Sequence, residues 1–152
     1  MIPMRTGQTR PLVLLVAVAA LTACGNTNQT RTADPTPGEP VVENITPEQA
    51  AALIRDNQDS AGFVILDVRT PEEFATGHLQ TAVNINFYDS TFREAIGRLD
   101  RAPAYLVYCK SGGRSGSSLT VMADLGFARV YNMLGGITRW QTEGRPVVSS
   151  SG

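Results

Sequence analysis

Histidine, lysine and tryptophan occur once each in this 152-residue chain, and cysteine only twice. With His78 as the sole imidazole, a multi-histidine metal centre is excluded, and a Ser/His/Asp triad would have to use that one residue. Two cysteines build neither a disulfide scaffold nor, by themselves, a tetrahedral zinc site. Charge of one sign is also lacking: 13 basic against 14 acidic residues leave a formal charge of −1. Such a balance provides no basic face for phosphate backbones, so no nucleic-acid partner is expected. The longest apolar run, Leu12 to Leu21, covers ten residues. That is about half of the roughly 20 a bilayer-spanning helix needs. What remains is ordinary globular composition, 42% hydrophobic, with length for one domain.

The two cysteines sit in different settings. Arg5 and Arg10 precede the apolar run, which ends in Leu21-Thr22-Ala23-Cys24. A positive start, a short apolar stretch and small residues at its end read as an export signal over residues 1–23. The ending resembles the lipobox of bacterial lipoproteins. That resemblance implies cleavage before Cys24, lipidation of its thiol and acylation of the new amino group. Two or three acyl chains give stable membrane anchoring where a single chain is marginal. From Gly25 to Pro40 the only apolar side chain apart from the prolines is Ala33, and three prolines stiffen the stretch. Residues 24–44 are thus expected to be a lipidated cysteine and disordered linker, with 45–148 as the folded domain and 149–152 as a frayed tail.

Within that domain, Thr46-Pro47-Glu48-Gln49 and Thr70-Pro71-Glu72-Glu73 both look like capped helix starts, with proline where its missing N–H is harmless. Phe63 to Leu66 and Ala104 to Tyr108 are short continuous apolar runs, the pattern of strands covered on both faces. Further strands are expected at Ala82 to Ile85 and Arg129 to Tyr131. Further helices are expected at Ser90 to Leu99, at Ser115 to Leu125 with Ser118, Val121, Met122 and Leu125 on one face, and from Gly135-Gly136 to Gln141. Alternation of strands and helices predicts an α/β fold with a mostly parallel sheet.

Cys109 follows the Ala104–Tyr108 strand, at the end where open parallel sheets bind ligands. In Cys109-Lys110-Ser111-Gly112-Gly113-Arg114-Ser115, adjacent glycines let successive backbone N–H groups converge on one point. The following helix aims its positive end at the same point. If the anion held there is the Cys109 thiolate, its pKa falls from about 8.5 toward roughly 3.5–7.5. Lys110, the only lysine, and Arg114 would add positive charge for an incoming anionic substrate.

These segments, with Leu66 to Phe74, Gly77-His78, Gly126-Phe127, Leu134-Gly135-Gly136-Ile137 and Trp140, resemble a single-domain rhodanese in order and spacing across residues 45–146. The resemblance implies a small parallel five-stranded sheet flanked by helices. It also implies that Cys109 takes sulfane sulfur from a small anionic, thiosulfate-like donor as a persulfide and passes it to a thiol or cyanide. Lys110, Ser111, Gly112, Gly113, Arg114 and Ser115 would bind substrate, with Asp67 and Arg69 as structural support. No metal or organic cofactor is implied. Four residues separate Cys109 from Arg114; phosphatases sharing this fold carry a loop one residue longer, which a tetrahedral phosphate needs.

Sulfur transfer from a preformed thiolate needs no general base, so His78 is expected to be a hydrogen-bonded structural residue and Glu73 a bracing or solvated carboxylate. Trp140 is expected to be packing. Two departures stand out. Leu79-Gln80-Thr81-Ala82 replaces the family's usual Ile-Pro-Gly-Ala, which predicts an altered turn, and Ser118-Leu119 replaces two small residues, which predicts altered helix–sheet packing. The alternative function is a non-turnover sulfur carrier or redox-sensing module built on the same loop.

The expected protein is therefore extracytoplasmic and lipid-anchored to a bacterial membrane. Replacing the acylated thiol tests this: Cys24→Ala is expected to move the protein from the membrane fraction to the soluble one.

Overall fold

Two threonine-proline pairs start helices as their sequence requires. Thr46 accepts from the Gln49 amide while Gln49 Oε1 accepts from the Thr46 amide, opening α1 (Pro47–Asn57). Thr70 and Glu73 repeat the arrangement at α2 (Pro71–Thr76). Each reciprocal pair satisfies two amides that would otherwise lack partners. The computed structural model describes residues 40–149. The segments assigned to the signal and to Cys24, linker residues 25–39 and tail residues 150–152 lie outside the described residues.

The strands are β1 (Val41–Ile45), β2 (Phe63–Asp67), β3 (Val83–Asn84), β4 (Ala104–Tyr108) and β5 (Arg129–Met133). The remaining helices are α3 (Phe92–Gly97), α4 (Gly113–Asp124) and α5 (Gly136–Thr142). All pairings are parallel, in the order β1-β5-β4-β2-β3. The expected five-stranded α/β fold is what forms.

Central β4 is buried at every position, and its alternation divides the molecule into two cores. Tyr105, Val107 and Cys109 face α3 and α4 through Phe92, Ile96, Leu119 and Met122. Leu106 and Tyr108 face α1 and α5 through Ala50, Ile137 and Trp140. A fully buried leucine- or phenylalanine-sized side chain contributes about 1.5–3 kcal/mol. Helices on both faces therefore hold β4 rigidly and fix where its last residue points.

Two expectations need correction. β1 runs through residues assigned to the linker up to 44; as an edge strand with Glu43 and Asn44 exposed, it shows no apolar alternation. α4 begins at Gly113, two residues before Ser115, because Gly112 at φ 98° supplies the cap conformation. Its fully buried residues are Ser115, Ser118, Leu119 and Met122, and Val121 and Leu125 of the expected face pack partly buried against the same core. Ser118 returns its hydroxyl to the Arg114 carbonyl at 2.8 Å, so the unusual Ser118-Leu119 pair is accommodated on the sheet.

The turn Leu79–Ala82 closes through the Ala82 amide to the Leu79 carbonyl at 3.0 Å, with Thr81 at φ 64°. A β-branched residue pays a steric penalty there that glycine avoids. The departure from the family pattern thus takes the form of strain at one exposed residue. Thr81→Gly is expected to stabilise the domain by about 0.5–1 kcal/mol, net of glycine's unfolded-state entropy, seen as a raised urea midpoint at unchanged m-value.

Candidate active site

β4 delivers Cys109 to the mouth of α4, and the turn between them is shaped by groups behind it. The Ile137 amide donates to the Cys109 carbonyl at 2.9 Å, and the Thr138 amide donates to the Lys110 carbonyl at 3.1 Å. Both donors are unpaired first-turn amides of α5. With these carbonyls turned toward α5, the loop's N–H groups are left to face the sulfur. Gly136, at φ 55°, makes the approach possible: a Cβ there would overlap the Cys109 carbonyl and lie 2.6 Å from Lys110. Gly135, at φ 77°, has Arg139 against the place of its missing side chain.

Cys109 is 1% exposed. Its Sγ accepts from the Gly112 amide at 3.1 Å and from the Ser115 hydroxyl at 3.5 Å. Burial opposes ionisation. The Ser115 hydroxyl and the amides of Ser115, Ser111 and Gly112 outweigh it, and the thiol ionises below its ordinary range.

The cations divide. Arg114 is a bidentate partner of Glu73, at 2.7 and 2.9 Å, and its guanidinium lies 5.4 Å from the ring centre of the exposed Tyr88. The fork pins α4's first turn to α2, so much of the Arg114 charge expected to steer substrate is committed to a carboxylate. The bracing alternative for Glu73 is the one the geometry realises. Lys110 is exposed and makes no ion pair among the described residues. Ser111 and Gly113 lie on the exposed rim of the turn.

Of the expected supports, Asp67 stands opposite Tyr108, the residue before Cys109, in the parallel register. Asp67 and Arg69 form a buried bidentate pair at 2.6–3.0 Å, and Arg69 also donates to the Gly77 carbonyl at 2.6 Å. Leaving either charge alone costs about 3–5 kcal/mol. His78 Nδ1 lies 3.0 Å from the Phe74 carbonyl, its ring stacks on Phe74, and its backbone pairs with Val148. None of its bonds reaches the Cys109 loop. Trp140 is buried and donates to the Pro146 carbonyl at 2.9 Å. Among the described residues no cluster of three or more His, Cys, Asp or Glu could hold a metal.

Sequence reasoning missed Asn132, a buried residue of β5 whose amide reaches Gly112 and Asn44. A polar side chain inside an otherwise apolar central segment was the available signal.

Fold and site together define a class: an α/β domain presenting one hydrogen-bonded thiol at the carboxyl end of its central parallel strand. The Rhodanese-like domain family matches residues 46–143. A sulfurtransferase of Allochromatium vinosum is 29% identical over 74% of this chain and 100% of its own length. A chloroplastic thiosulfate sulfurtransferase of Arabidopsis thaliana is 31% identical over 68% of this chain and 95% of its own. The crystal structure of a rhodanese-related protein from Thermoplasma volcanium superposes with a TM-score of 0.58 at 33% identity, over 70% of this chain and 97% of that one. The chain belongs to the rhodanese-like family, and it is an enzyme of the rhodanese-type sulfurtransferase class.

The Glu73–Arg114 fork carries a pH signature. Hydrogen bonds from Arg114 draw the Glu73 carboxyl down to about 2 from 4.5. A carboxylate with a depressed folded pKa adds stability that is complete above its unfolded value and lost as pH falls through the folded one. Wild-type protein is therefore expected to lose stability more steeply than Glu73→Gln between about pH 4.5 and 2. Thermal midpoints should differ at pH 6 and converge at the acid end.

Proposed function

We propose that this enzyme moves sulfane sulfur from a small anionic donor of the thiosulfate kind to a thiol or cyanide acceptor through a Cys109 persulfide. It would act from a lipid-tethered position outside the cytoplasm. The observation that carries the chemistry is the buried Sγ receiving hydrogen bonds from a backbone amide and a hydroxyl, at 3.1 and 3.5 Å. Such donors favour an anion, and a persulfide is one.

The Cys109 thiolate attacks the outer sulfur of the donor, forming an S–S bond as sulfite leaves with the electrons of the broken bond. The terminal sulfur of the resulting persulfide is negatively charged. It takes the place ahead of the loop amides of Ser111, Gly112 and Ser115, which are oriented before reaction and need no reorganisation. The acceptor then attacks that sulfur and restores the thiolate, so neither protein group is oxidised or reduced over the cycle. Near-complete burial of Cys109 suits a slender donor tipped by sulfur. Thiosulfate appears as the substrate in the names of the Arabidopsis relative and of a 31% identical enzyme of Pseudomonas entomophila. Lys110, exposed and in no ion pair among the described residues, is a cation available to draw the donor in. The membrane position rests on the apolar run Leu12 to Leu21 and the Leu21-Thr22-Ala23-Cys24 ending.

Cys109→Ser is expected to abolish thiosulfate:cyanide sulfur transfer while leaving the fold intact. Mass spectrometry of the wild-type domain after thiosulfate should show one added sulfur on Cys109, removed by cyanide. Sulfenic acid, or no adduct, would favour a redox or carrier module over a turning-over enzyme.

A further inference from the structure

Asn132 is the buried polar residue that the described chemistry leaves without a task. It sits in β5, directly across from Asn44 of β1 in the parallel register, and is 2% exposed. Both hydrogens of its amide are used: one goes to Asn44 Oδ1 at 2.7 Å, the other to the Gly112 carbonyl at 3.3 Å. Its Oδ1 is buried with no partner. Burying an amide oxygen unpaired carries a desolvation cost, and an apolar residue at this place would avoid it. The bond to Gly112 is the evident return.

Gly112 stands at φ 98°, where a Cβ would lie 3.2 Å from the Gly135 amide. Glycine is required there, yet glycine alone leaves the chain free to turn its peptide planes. Its carbonyl is held twice, by the Gly116 amide at 3.0 Å and by Asn132. Its own N–H points to Cys109 Sγ at 3.1 Å. Gly116 completes the arrangement: a Cβ on it would lie 3.5 Å from the Asn132 amide nitrogen, so the side chain packs directly beneath the first turn of α4. We propose that Asn132 is a positioning residue that holds Gly112 so that its N–H faces the reacting sulfur. Asn44 of β1 is the anchor that holds Asn132.

This role rests on the thiolate reading of Cys109, and the test separates the two. The charged groups about the thiol are Lys110, Arg114 and, through Arg114, Glu73; the variants leave all three in place. The rate of Cys109 alkylation by iodoacetamide is measured against pH in the full chain, alongside kcat and KM for thiosulfate. Wild-type protein should ionise below the ordinary thiol range of about 8.5; an ordinary value there would sink the thiolate reading itself. Asn132→Leu, near in size but without a donor, is expected to move the ionisation upward, slow alkylation at pH 7 about three- to tenfold, and lower kcat with little change in KM. If Asn132→Leu does not fold, as judged by circular dichroism, Asn132→Ala is read the same way. A folded variant with the wild-type ionisation curve and kcat overturns the assignment. So does a variant whose KM alone changes.

Discussion

Everything at the site depends on the carbonyls of Cys109 and Lys110 being taken from behind. A strand-to-helix turn has as many carbonyls as amides, and unless its carbonyls are turned away they would face the sulfur and repel an anion. The first amides of α5 supply that restraint, and they can approach only because Gly136 has no side chain. Two sets of otherwise unpaired groups, the start of one helix and the turn before another, satisfy each other. The amides left over face Sγ, and the thiol's ionisation below its ordinary range follows from that arrangement despite burial.

Around this turn the charges serve position more than attraction. Asp67 and Arg69 lock the end of β2 to the end of α2. The Glu73–Arg114 fork then ties α2 to the first turn of α4. Because Arg114 is neutralised by its partner, Lys110 is the loop cation left open to solvent. The two ion pairs form a continuous brace from the sheet to the loop, consistent with their being far less exposed than the other pairs of the described chain, apart from that of Arg145 with Glu143. Asn132 with Asn44 extends the bracing from the opposite side through β5 and β1.

Much of the fold was legible because its signals are local. Threonine-proline starts announce α1 and α2, and continuous apolar runs announce β2 and β4. The glycine pairs mark the two turns at the site. β1 was missed for a physical reason: an edge strand paired on one side has no apolar rhythm to distinguish it from a linker. The start of α4 was misplaced because a glycine in a left-handed conformation caps it, with no serine, threonine or aspartate to mark the boundary. Thr81 could not be recognised as strained from its identity, since its φ is imposed by the closure of the turn.

The sequence by itself determined the class of chemistry: a thiol at a strand end, a glycine-containing turn, a following helix, and too few histidines for a multi-histidine metal centre. These depend on residue type and near-neighbour spacing, which are written in one dimension. Only the tertiary structure decided which groups meet across long separations. Glu73 reaches Arg114 across 41 positions and Asn132 reaches Asn44 across 88, while α5 caps a turn more than twenty residues before it. Such partners share no periodicity or motif; they are brought together by the parallel order of the strands, and that order is set by burial of two cores rather than by any local signal.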